Sequence, residues 1–113
     1  MNHRNKITLE KILDEAALIS QLVEEIDVDG FVNDEIIKRA ATMSLINIGE
    51  LTNALTDDLK DKTPHIKWSM IRRTRDKVAH HYIDLDPRIT WETITKSIPE
   101  LKSQIEGLLA KDA

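Results

Sequence analysis

Apolar residues recur every third or fourth position along most of this chain, and no segment alternates with period two in a β-rich composition. That spacing selects amphipathic helices and argues against a sheet. Leu9, Ile12, Ala16, Ile19, Val23 and Ile26 make one stripe, with Thr8 ahead of it as the expected N-cap and "DVDG" (27–30) as the expected stop. After Asn33, the residues Ile37, Ala40, Ala41, Ser44, Ile48, Leu51 and Leu55 share a second face, on a long helix that should end before "KDKTP". A third helix is expected from Pro64 to about Tyr82, through Ile66, Met70, Ile71 and Val78. Asp86 and Pro87 are the N-cap and first-turn proline of a fourth, which carries Ile89, Trp91 and Ile94 until Pro99 breaks or kinks it. The predicted fold is therefore all-α: an up-and-down antiparallel bundle of four main helices with a broken or kinked C-terminal helix.

With 113 residues, 41% hydrophobic and 32% charged, the chain reads as one globular domain spanning residues 1–113. It has no cysteine, which excludes disulfides and thiolate metal sites and suits a reducing cytoplasm. No apolar run approaches the roughly 20 residues that span a bilayer, so no membrane role is expected. Gly49 sits inside the second helix at a cost of about 1 kcal/mol relative to alanine. The expected reason is close approach of another backbone; Glu50 beside it should face solvent.

The net charge is -4, but it is unevenly spread. Lys60 to Lys77 holds seven basic residues and two acids, a balance of +5, while the rest of the chain holds nine basic and eighteen acidic residues. A local positive field on a repelling surface suits a small anionic target. Within and beyond it lies "RRTRDKVAHHYIDLD", Arg72 to Asp86, which concentrates cations, two histidines and the only tyrosine. At about 100° per residue, Arg75, Asp76, His80 and Tyr82 would fall on one arc of a helix, while Lys77 and His81 lie off it. Arginine stabilises developing phosphoryl charge bidentately, and histidine titrates near neutrality and moves protons. One histidine does not easily supply both acid and base for RNA cleavage by an internal 2′-hydroxyl; a two-fold dimer would supply two. From spacing alone a solvated helix end explains the same residues. Adjacent His80 and His81 point about 100° apart and His65 lies in another segment, so no metal site is expected. Without a glycine-rich phosphate loop, no cofactor is expected either. Trp68 and Trp91 occupy apolar helical positions and read as core.

"RDKVAHHY" resembles the Arg-x-x-x-x-His-x-Tyr motif of HepT-like toxins in the HEPN superfamily. The likeness covers nearly the whole chain: "LEKIL", "INIGE" (46–50), "PHIKWSMIRRTRD" (64–76), "HHYIDLDPRITWETI" and "IPELKSQIEGLL" resemble successive family landmarks. The resemblance implies a HEPN helical bundle, a homodimer and metal-independent ribonuclease activity on an RNA substrate. It also implies the toxin role of a type VII toxin–antitoxin pair, with a minimal nucleotidyltransferase antitoxin that transfers AMP to the motif tyrosine. By position, Arg75 and His80 are the catalytic pair, Asp76 the polar residue after the arginine, and Tyr82 the modified hydroxyl. Two departures stand out. Asp76 replaces a common asparagine, adding an anion that could weaken phosphate binding or pair with Arg75 or His80. Ile83 replaces a common aromatic, which should alter packing more than chemistry. The alternative is a non-catalytic HEPN module that binds a nucleotidyltransferase or nucleotide.

Overall fold

A computed structural model describes residues 1–112. The elements are α1 (His3–Val23), α2 (Val28–Val32), α3 (Glu35–Asn53), α4 (Asp57–Lys62), α5 (Trp68–His80), α6 (Pro87–Glu92), a π-helical turn (Thr93–Ser97) and α7 (Ile98–Asp112). α6, the π turn and α7 follow one another without interruption, so four long helical bodies account for most of the chain. The fold is the all-α bundle expected from the periodicity and is consistent with the HEPN-like bundle that the resemblance implies, with no strand among the described residues.

The helices run antiparallel, as their cross-links show. Asn5 bonds Thr56 beyond the far end of α3, while Glu15 bonds Asn47, so advancing along α1 means retreating along α3. The N-terminal ammonium pairs with Asp112 at 3.1 Å, setting the start of α1 beside the end of α7. α3 is the central helix, packed against both α1 and α5. The predicted α1 stripe is the core: Leu9, Ile12, Ala16 and Ile19 have no exposure. Phe31, from the short α2, is also fully enclosed and meets the Trp91 ring with centroids 5.4 Å apart. Trp68 is buried, and its indole N–H donates to the Thr63 hydroxyl at 2.9 Å.

Four local expectations need correction. α3 ends at Asn53 rather than just before "KDKTP", because Thr56 caps a separate α4 over Asp57–Lys62. α1 starts at His3 and is capped by Asn2, whose side chain accepts from the Asn5 amide. Thr8 is inside the helix, its hydroxyl donating to the Arg4 carbonyl. "DVDG" does not simply stop a helix: Asp27 caps α2, and Gly30 lies within it. The third helix is shorter at both ends than expected, Trp68–His80. The break or kink expected at Pro99 takes the form of a π turn just before it, with the Ile98 amide reaching back to the Thr93 carbonyl. Asp86 and Pro87 take the predicted cap and first-turn positions.

Because Phe31 joins α2 to Trp91 with no exposure to solvent, Phe31→Ala should cost about 3–5 kcal/mol of folding stability, read by urea denaturation.

Candidate active site on helix α5

α5 lies against α3 with Gly49 directly beneath Arg75. A Cβ added at Gly49 would overlap the Cβ and Cγ of Arg75. The glycine thus admits an arginine stem and not, as the sequence suggested, a bare backbone. Laid across this notch, the guanidinium donates to the Asp76 carboxylate at 3.0 Å and pairs with Glu50, which is exposed as expected. The Asp76 bond and the Glu50 charge hold Arg75 above the ordinary arginine value, so it stays cationic. Of the two partners open to Asp76, it takes Arg75. The Arg75 Nε is buried without a partner.

His80 is the last residue of α5 and is exposed. Among the described residues no hydrogen bond or ion pair joins it to Arg75. Five positions separate the two, about 7.5 Å of helical rise.

Tyr82 does not continue the arc. α5 stops at His80, and the next residues form a turn in which the Leu85 and Asp84 amides bond the His81 carbonyl. The turn carries Tyr82 to the start of α3, where its hydroxyl donates to Glu35 at 2.9 Å. Arg75 contacts Glu50, fifteen residues along the same helix, or about 22 Å of rise. Within one chain, then, Arg75 and Tyr82 do not share a groove. Ile83 is 93% exposed and packs on little of its own chain.

The surroundings of Tyr82 were not foreseen. Glu35 is a hub: it pairs with Lys38 at 3.1 Å and Arg39 at 2.9 Å while accepting from the phenol. Arg39 lies over the tyrosine ring, 5.2 Å from its centroid. These residues line a cleft of about 260 Å³ with Phe31, Thr42 and Thr90. The signal was "EIIKR", which sets one acid three and four residues before two bases on a helix. Hydrogen bonds from Lys38 and Tyr82 hold the Glu35 carboxyl below its usual value. Burial, then the Glu35 bond and charge, push the Tyr82 phenol above its own.

Two measurements check this geometry. Gly49→Ala should destabilise the fold by about 1–3 kcal/mol through overpacking. The loss should shrink when Arg75 is also replaced by glycine, which makes room for the new methyl. Tyr82 is the only tyrosine, so phenolate absorbance should report it alone. It should titrate above the ordinary value of about 10, and Glu35→Gln should lower it. Since folding favours the neutral phenol, its contribution to stability is present below about pH 10 and lost as pH rises through the folded value.

Comparison with known proteins bears on the chemistry. The profile of the family described as "Ribonuclease HepT-like" matches residues 12–108. A protein of Caldanaerobacter subterraneus subsp. tengcongensis, provisionally named as an RNase, is 38% identical over 104 residues, covering 92% of this chain and 93% of its own. "Probable ribonuclease HepT" of Thermococcus cleftensis is 34% identical over 108 residues, 96% of this chain and 98% of its own. A further provisionally named RNase, from Methanocaldococcus jannaschii, is 33% identical over 91 residues, covering 80% and 78%. No solved structure matches the chain. With the match spanning α1 to α7 and including Arg75, His80 and Tyr82, the chain belongs to the ribonuclease HepT-like family of HEPN proteins.

Proposed function

We propose that this protein is a metal-independent ribonuclease toxin, active as a two-fold homodimer and neutralised by a minimal nucleotidyltransferase antitoxin that transfers AMP to Tyr82. The observation that carries the reading is the family match over residues 12–108, joined to the presence of both Arg75 and His80 on one helix, the arginine held by packing and the histidine free.

In this reading the RNA 2′-hydroxyl attacks the adjacent phosphorus. The O2′–P bond forms and the P–O5′ bond breaks, leaving a 2′,3′-cyclic phosphate and a free 5′-hydroxyl. One protomer's His80 takes the 2′ proton, and the partner subunit's His80 protonates the departing 5′-oxygen. Arg75 stabilises charge on the non-bridging oxygens. Identical subunits most often pair about a two-fold axis, which supplies both histidines. AMP on Tyr82 would add an anion next to Lys38 and Arg39, two residues beyond His80, so the nucleotide would crowd the histidine end of α5. One observation favours the non-catalytic alternative: Arg75 is already neutralised by two carboxylates.

Cleavage decides between them. His80→Ala and Arg75→Ala should each abolish RNA cleavage and growth arrest, with His80 worth about 10²–10⁴-fold, while His81→Ala is mild and EDTA changes nothing. Undiminished toxicity of the Arg75 variant would favour the binding module. Light scattering should give twice 12.9 kDa. Coexpression with the nucleotidyltransferase should add AMP mass that Tyr82→Phe removes.

A further inference from the structure

At the opposite end of α5 from His80 lies a second polar cleft, of about 240 Å³, lined by Thr52, Asn53, Asp57, Lys60, Trp68, Ser69 and Arg72. Three independent features converge there. First, α5 is a 13-residue helix whose N-terminus has no side-chain cap and no acid in its first turn, so its positive end is uncompensated. Second, Lys60 and Arg72 both line the cleft, and neither enters an ion pair among the described residues. Asp57 is the one acid lining it, leaving two cations against one anion before the helix dipole is counted. Third, Thr52 is 1% exposed, and its hydroxyl has no hydrogen-bond partner. A buried hydroxyl without a partner costs about 1–3 kcal/mol, so its presence beside two free cations points to something it bonds.

The free Ser69 N–H at the helix start, two bases, the Ser69 hydroxyl and the Asn53 side-chain amide are the donors that a phosphate takes. The volume is below the ~300–1,000 Å³ of pockets for whole organic ligands, which suits a backbone phosphate with part of its sugars. Arg72 lies one turn before Arg75 on the same helix, about 4.5 Å of rise. We propose that this cleft is a phosphodiester subsite that anchors the RNA strand upstream on α5, so that the strand runs along the helix towards Arg75. The proposal rests on the ribonuclease reading for the identity of the strand, though not for the existence of the site.

The test uses the full-length chain and a single-stranded 2′-O-methyl oligonucleotide, which lacks the attacking hydroxyl and stays intact. Fluorescence anisotropy should show binding about tenfold weaker for Arg72→Gln and for Lys60→Gln, each with a salt slope shallower by ~0.7. Lys62→Gln, whose lysine is exposed, paired with Asp58 and outside the cleft, is the control. Thr52→Val removes only the hydroxyl. It should weaken binding about three- to tenfold with the salt slope unchanged, and raise the urea midpoint of the free protein, because the unmet desolvation cost of the hydroxyl goes with it. Equal losses from Lys62→Gln and Arg72→Gln would reduce the site to a diffuse field and overturn it. Full binding by Thr52→Val would overturn it as well. AMP competing better than the oligonucleotide would assign the cleft to mononucleotides and overturn the strand path. Losses confined to the cleft variants, in a protein that cuts no unmodified RNA, would sustain the site and sink the nuclease reading. Unmodified RNA cut normally, with binding untouched by Arg72→Gln, would do the reverse.

Discussion

The contact between Arg75 and Gly49 sets the register of α5 on α3, and the placement of the chemistry follows from it. The arginine stem occupies the space where any other residue would carry a Cβ, so α5 cannot slide by a turn without losing the notch. The ion pairs to Glu50 and Asp76 are secondary. Both carboxylates are more than half exposed, and exposed pairs contribute about 0–1 kcal/mol. Packing positions the guanidinium; the acids then orient its donors. That order matters for function, since a phosphate can displace a solvent-screened carboxylate much more easily than it could move a packed helix.

The two ends of the α3–α5 seam carry different chemistry. Near the C-terminus of α3 are Arg75, Glu50 and the orphan hydroxyl of Thr52. At its N-terminus Glu35 gathers Lys38, Arg39 and Tyr82. Antiparallel packing makes this division unavoidable, because leaving the start of α5 means approaching the start of α3. The phenol and the guanidinium are neighbours in the sequence motif and distant in one folded chain. Any reaction that needs both must therefore draw them from two chains, or act in sequence at two places.

What was legible in the sequence follows this same geometry. The stripe from Leu9 to Ile26 was readable because burial repeats with the helix: every member up to Val23 is buried, and Ile26, past the end of α1, is half-buried. Asp86 and Pro87 were readable because a cap and a first-turn proline act locally. The departures are places where another part of the chain overrides the reading of one residue. Thr8 is a weaker cap than Asn2, which accepts from the Asn5 amide and starts the helix at His3, and Asn5 is in turn tied across the bundle to Thr56. Pro99 was read as a break or kink because its missing amide costs a hydrogen bond, and the irregularity appears as a π turn ahead of it that re-routes the ladder. Tyr82 was projected along a helix that ends two residues earlier, and the error in angle grew into a displacement to another helix. Arg75 and His80 were singled out by type and spacing and given roles only through the family motif, whereas Glu35, Lys38 and Arg39 required knowing which end of α3 Tyr82 reaches.

Pairing also sharpens the meaning of the basic segment. Of the seven cations between Lys60 and Lys77, Lys62 is paired with Asp58 and Arg75 with Glu50 and Asp76. Lys60, Lys67, Arg72, Arg73 and Lys77 enter no ion pair among the described residues, and four of the five lie on α5 or immediately before it. Elsewhere the chain carries nine bases against eighteen acids. An approaching polyanion is therefore repelled from most of the surface and attracted along one helix axis, where the range of that attraction is about a Debye length, ~8–10 Å. Along that axis the chemistry is uneven, because the cations at the start of α5 are unpaired while its end carries the exposed His80.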